Sequence, residues 1–178
     1  VEVEPLRIGY RSTLEVLAFA RAVLGPLADP EAPLATRHGA PVEFHGFPTS
    51  GAAVAFLGEA LRALIDRRAP RQRVRSSPAT PSAPTSTSTG SGRPRSPASR
   101  VRDQDFSFRP GVEVTDIRQV KGLEFDYVVL VDVTRSQYPV DDESRHLLHI
   151  GATRAAHQLW VLSPGLASPL LPAWMLDD

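Results

Sequence analysis

Between Ala69 and Arg100 the chain is built from Pro, Ser, Thr, Arg, Gly and Ala with almost nothing apolar. Such a segment cannot bury enough surface to offset the entropy lost when its backbone is ordered, and it is read as disordered. This constrains the fold more than any other feature. Any core must be assembled from two separated pieces, residues 1–68 and 103–165, with residues 69–102 as a Pro/Ser/Arg-rich linker and 166–178 as a C-terminal tail. The linker also gathers positive charge: Arg67, Arg68, Arg71, Arg73, Arg75, Arg93, Arg95, Arg100 and Arg102 stand against Asp66 alone. A flexible basic tract can hold nucleic acid through its phosphates. The plainer reading is an arginine-biased linker that binds nothing specific.

The two pieces show alternating element types. Residues 6–9 read as a short strand. Ser12, with Glu15 three residues on, forms a capping box for a helix over Thr13–Leu24 whose face is Leu14, Leu17, Ala18, Ala20 (or Arg21) and Leu24. Gly25-Pro26 ends it, and residues 26–41 are Pro- and Ala-rich and irregular. Val42–His45 alternates as a strand. Thr49 or Ser50 caps a second helix, Ala52–Arg67, with the face Val54, Leu57, Leu61, Leu64 and Ile65. Beyond the linker, Val112–Ile117 is a strand and Asp126–Asp132 a buried strand ending in a carboxylate. Glu143–Arg154 is a helix with Asp141 or Asp142 at its favourable N-terminal end. Leu159–Leu162 is a final strand, and Pro164–Asp178 an apolar tail. Strands alternating with helices predict an α/β fold with a mostly parallel sheet.

Bulk properties narrow the class. A length of 178 residues suits one domain. The zero net charge argues for no partner, and the lack of cysteine removes disulfides and thiol metal sites. No apolar run approaches the ~18 residues of a membrane span, and the acidic start is unlike a signal peptide. A cytoplasmic protein without membrane contact is expected. The first residue is Val, not Met, which reads as a piece of something longer.

Lys121 is the only lysine; the other nineteen basic residues are arginine. It sits in Gln119-Val120-Lys121-Gly122-Leu123-Glu124-Phe125-Asp126, a polar loop feeding the apolar run Tyr127–Val131, which is where α/β proteins place ligand loops. Two further segments matter: Leu6-Arg7-Ile8-Gly9-Tyr10-Arg11-Ser12-Thr13 near the start, and Arg145–Leu162 near the end, with Thr153-Arg154-Ala155 at its centre. In this order the three resemble motifs IV, V and VI of the UvrD/Rep-like superfamily 1 DNA helicases, over roughly residues 1–68 and 103–165. The Phe106-Ser107-Phe108-Arg109-Pro110-Gly111 lead-in is closest to the HelD-like branch.

The resemblance implies the C-terminal RecA-like domain of the P-loop NTPase type, a mostly parallel sheet with helices on both faces. It implies an ATP-dependent DNA helicase or translocase whose nucleotide lies against a second, N-terminal RecA-like domain. Arg154 looks like the arginine finger and Arg11 like the motif IV arginine reaching the γ-phosphate, a task suited to a planar, permanently charged fork. Tyr10 is expected to stack on adenine, Gly122 to let the backbone approach the nucleotide, and Glu124 to bind its ribose. Lys121 and Arg118 are the candidates for contact with single-stranded DNA. The plainer alternatives are a helix-end arginine at 154, a surface arginine at 11, a core-edge tyrosine at 10 and a solvated lysine at 121.

Departures from the pattern qualify these roles. Asp116 and Arg118 occupy positions where relatives carry Thr and His, and a carboxylate at 116 repels phosphate. The linker occupies the place of a strand and helix that relatives carry. No Gly-x-x-x-x-Gly-Lys-[Ser/Thr] occurs, no strand ends in an Asp-Glu pair for magnesium, and no histidines show metal-ligand spacing. ATP and Mg2+ are therefore expected only together with the N-terminal domain, and the chain alone is expected to be inactive. Two alternatives follow: a HelD-like, non-unwinding factor acting on RNA polymerase, and an inactive degenerate fragment.

Overall fold

Among the described residues Ala155–Pro164 is the longest strand, and it lies at the centre of the main sheet. The computed structural model describes residues 8–9, 12–30, 34–35, 37–68, 98–100, 112–120 and 122–176. In chain order these form β1 (Ile8–Gly9), α1 (Leu14–Leu24), β2 (Leu34–Ala35), β3 (Glu43–Phe47), α2 (Ser50–Arg68), β4 (Ala98–Arg100), β5 (Val112–Val114), β6 (Phe125–Leu130), α3 (Asp142–Ala152) and β7 (Ala155–Pro164). Single 3-10 turns occur at Gly25–Leu27, Ile117–Gln119 and Ala173–Met175.

Every paired strand among the described residues is parallel. The main sheet has the order β3-β7-β6, with β1-β2 and β4-β5 as separate pairs. Phe44 lies opposite Val161, and Val128 opposite Leu159. Strands from both sides of the linker thus share one sheet. Because successive side chains on a strand point to opposite faces, β7 serves two cores. Ala155, Leu159 and Val161 join Val16, Phe19, Ala20 and Val23 of α1 and Leu148 and Ala152 of α3. On the other face Trp160 meets His45 and Phe56, and Phe56 meets His45 and Phe47, which joins α2 to the sheet through ring contacts 4.6–6.3 Å between centroids. Helices cover both faces, as expected.

Several local expectations are corrected. Thr13, not Ser12, is the N-cap of α1, its Oγ1 accepting from the Val16 N–H. Glu15 does not close a capping box; its carboxylate accepts from the Gly39 N–H at 2.9 Å and pairs with His38 Nδ1 at 3.1 Å. The buried stripe of α1 is Val16, Phe19, Ala20 and Val23, one step round from the expected face. Helix α1 is apolar on most sides, so periodicity alone offers more than one stripe. On α2, Val54 is 69% exposed and Ala53 is the buried residue among the described side chains, while Thr49 caps as expected. The strand expected over Val112–Ile117 stops at Val114, because Asp116 Oδ1 accepts from the Arg118 N–H and turns the chain.

Strand β6 is the edge of the main sheet among the described strands, and Asp126 and Tyr127 are exposed. It is therefore not the buried strand expected. It ends at Leu130, before Asp132, whose φ of 55° turns the chain. The helix expected over Glu143–Arg154 ends at Ala152, leaving Thr153 and Arg154 beyond it. Three residues of the tract read as disordered, Ala98–Arg100, pair with Val112–Val114; the rest of residues 69–102 lies outside the described residues. The apolar tail belongs to the core: Leu170, Leu171 and Met175 are buried against α1, α3 and β7.

Candidate functional site

The site is built where α3 ends and the loop before β6 returns to it. Val120 is buried and packs with Leu123, Phe125 and Ile150 of α3. Gly122 has a φ of +87°, a conformation open to glycine at little steric cost, and its Cα faces open space. The Leu123 N–H donates to the Val120 carbonyl at 3.1 Å, and the Phe125 N–H to the Arg154 carbonyl at 2.9 Å. Glu124 is exposed between these two anchors.

Arg154 ties the arrangement together. Its Nε donates to the Ile150 carbonyl, its Nη1 to the Leu123 carbonyl and its Nη2 to Thr153 Oγ1, each at 3.2 Å. The first bond makes it the helix-end arginine of the plainer reading, a cation placed favourably at the negative end of α3. The second fastens the same guanidinium to the Gly122 loop. The half-buried fork is held in place by these bonds, with one N–H on each Nη still unengaged among the described residues.

The N-terminal segment arrives at the same corner. Ser12 is buried, and its hydroxyl lies 3.5 Å from the Thr153 carbonyl. Residues adjacent in sequence to Arg11 and to Arg154 are thus in contact, although they are 141 positions apart. Tyr10, Arg11 and Lys121 themselves lie outside the described residues.

Arg118 stands elsewhere. Its Nη2 meets Glu143 Oε1 at 2.6 Å, and its Nη1 lies 3.9 Å from Asp116 Oδ1. Hydrogen bonding to Glu143 is the main reason its pKa is raised above the ordinary arginine value. Glu143 is in the first turn of α3, whereas Arg154 follows its last, so the two arginines occupy opposite ends of that helix. The same end carries Asp141, the helix N-cap, whose carboxyl is held below the usual range by the Ser144 N–H. Tyr138 is also near; burial, then the charge of Asp116, raises its phenol. No cluster of metal-ligating side chains occurs among the described residues.

Sequence reasoning found Arg154 and the Gly122 loop but not what joins them. The Leu123 carbonyl is a backbone group, invisible to residue identity. The Ser12–Thr153 contact depends on how α1 and α3 pack. Arg145 and His149 could have been noticed, because their spacing of four puts both on one face of α3.

An α/β domain with a parallel sheet, helices on both faces and a loop–helix corner at its edge is the class that the fold and site define. Residues 111–162, which span that corner, match the model of the UvrD-like helicase C-terminal domain family. The fold is similar to the crystal structure of the C-terminal domain of a possible DNA helicase from Lactobacillus plantarum WCFS1. That likeness has a TM-score of 0.64 at 20% identity, covering 94% of this chain and 96% of that one. Comparison with curated proteins gives no match. The resemblance in the loop and Thr153-Arg154 segments is therefore borne out for the stretch that contains them. No helix among the described residues is long and apolar enough to cross a membrane.

Proposed function

We propose that this chain is the C-terminal RecA-like half of an ATP-dependent DNA helicase or translocase. It supplies Arg154 and Arg11 to a nucleotide whose phosphates and magnesium are held by a separate N-terminal domain. The observation that carries this reading is the contact of Ser12 with Thr153. It puts Ser12, the residue that follows Arg11 in sequence, at the corner that holds Thr153-Arg154, which supports a reading in which two cations act on one γ-phosphate. Gly122 and Glu124 lie on the loop that Arg154 holds, which supports a nucleotide-facing role for that loop. Tyr10 would stack on the base and Lys121, from the same loop, would face single-stranded DNA.

The test is phosphate release from ATP by the chain alone and together with an N-terminal phosphate-loop domain. The chain alone is expected to show no turnover. The combination is expected to show turnover that falls about 10³-fold or more on Arg154→Ala, with little recovery in Arg154→Lys, which lacks the fork. Turnover that survives Arg154→Ala would overturn the reading. The engagement of Arg118 with Glu143 favours a second reading, a nucleotide-gated factor that does not unwind. Strand separation by the combined protein decides between the two.

A further inference from the structure

The two helices that carry the corner are fastened at both ends, and the second fastening involves residues with no role above. Ser12 meets Thr153 where α1 begins and α3 ends. At the other end, Arg145 Nη1 donates to the Val23 carbonyl at 2.9 Å, and His149 Nδ1 lies 3.2 Å from the Ala20 carbonyl. The helices are therefore antiparallel. Carbonyls in the last turn of a helix have no partner within it. Here α3 supplies a partner for one of them, Val23, and adds a second contact to the Ala20 carbonyl one turn earlier, from side chains four positions apart on one face. A carbonyl can only accept, so His149 carries its proton on Nδ1 in this contact.

Gly25 independently shows that the Arg145 contact is built in. A Cβ at Gly25 would lie 2.6 Å from Arg145 Nη1, and its φ of +54° is one that side-chain-bearing residues rarely adopt. The guanidinium sits directly on the backbone where α1 ends. It also places a cation at the negative pole of α1.

We propose that Arg145 and His149 are positioning residues. By clamping the C-terminal end of α1 to α3, they set the angle at which the segment entering α1 meets Thr153-Arg154. They act through that segment and touch no substrate. The clamp itself stands independently of the proposed function; its consequence for ATP turnover rests on it.

The test uses the absence of native cysteine. In the Ser12→Cys/Thr153→Cys chain, the rate of disulfide formation under mild oxidation reports how often the two segments meet. Loss of both clamping side chains (Arg145→Ala with His149→Ala) is expected to slow bridging about tenfold, the scale of two ordinary hydrogen bonds. Arg145→Lys and His149→Asn, which keep a donor near the same carbonyls, are expected to restore most of the rate. Gly25→Ala, which displaces the guanidinium while leaving it in the chain, is expected to slow bridging as Arg145→Ala does.

A rate unchanged in the double alanine variant overturns the clamp, whatever ATP turnover shows. If that variant does not fold, the His149→Ala and His149→Asn pair decides: equal bridging rates overturn the clamp. In the combined protein, the alanine variants are expected to lower kcat with little change in KM, because the misplaced group acts after ATP has bound. Arg154-dependent turnover with an unaltered kcat would remove the positioning role alone. Turnover independent of Arg154 would remove the proposed function and leave the cross-linking result intact.

Discussion

The two faces of the sheet are built differently. On the α1/α3 face, buried aliphatic side chains and Phe19 fill the interior, and polar side chains fasten the helix ends: Ser12 to Thr153, Arg145 to Val23, His149 to Ala20. On the α2 face, half-buried rings of His45, Phe47, Phe56 and Trp160 meet at tilted angles, except His45 and Trp160, which meet edge-on. There, among the described residues, His45 Nε2 and Trp160 Nε1 are buried without a hydrogen-bond partner, although His45 Nε2 lies 3.5 Å from Glu43 Oε2. The first face carries the described corner, Ser12 against Thr153 and Arg154. The second holds a helix to the sheet. On the first face polar side chains fasten helix ends to each other; on the second, the polar contacts Gln158–Glu43 and His45–Glu43 join strand residues, and rings join α2 to the sheet.

Substitutions can break or sharpen this contrast. The largest effect is expected at Phe19, which has no exposed surface. Phe19→Ala should cost about 3–5 kcal/mol by denaturant unfolding, whereas Phe56→Ala, at a half-buried ring, should cost less, about 2 kcal/mol. Equal losses would mean that the faces do not differ. Next comes Gly25→Ala, which forces a side chain into a left-handed position and onto Arg145. It should cost about 1–3 kcal/mol.

Glu15 is expected to matter less, and with a defined pH dependence. Hydrogen bonds, first from its own backbone and then from His38, hold its carboxyl down from 4.5 to about 2. A depressed carboxyl contributes stability that is fully present above its unfolded value and is lost as pH falls through the folded one. Glu15→Gln should therefore lower stability by about 1 kcal/mol at neutral pH. The gap should close between pH 4.5 and about 2. A gap that persisted below that window would show that the carboxylate charge is not the cause. The smallest effect is expected at Arg118→Ala. Its ion pair with Glu143 is exposed on both sides, and such pairs contribute little, so the melting midpoint should not move.

Much of the fold was legible in sequence. The Gly25-Pro26 stop, the Thr49 and Asp141 caps and the alternation of strands with helices all reflect local chemistry. What was not legible depends on tertiary choice. Helix α1 could have buried either of two apolar stripes, and packing on α3 selected the one containing Phe19. Strand β6 was read as buried from its apolar run, yet it lies at a sheet edge, a fact of strand order. The 166–178 stretch looked like a tail because it has no period, but Leu170, Leu171 and Met175 enter the core as isolated anchors. At the site, Arg154 and Gly122 were visible as residue types in a pattern. The bond between them runs through the Leu123 carbonyl, which no side chain announces.

The proposed function comes down to whether Arg11 and Arg154 act on one phosphoryl group. A double-mutant cycle on ATP turnover, in the chain combined with its phosphate-loop domain, measures this directly. If both cations stabilise the same transition-state charge, removing the second after the first should cost far less than removing it alone. The Arg11→Ala/Arg154→Ala protein should then be about as slow as the slower single variant. Free-energy losses that simply add would contradict the account, because they would describe two arginines working at separate places.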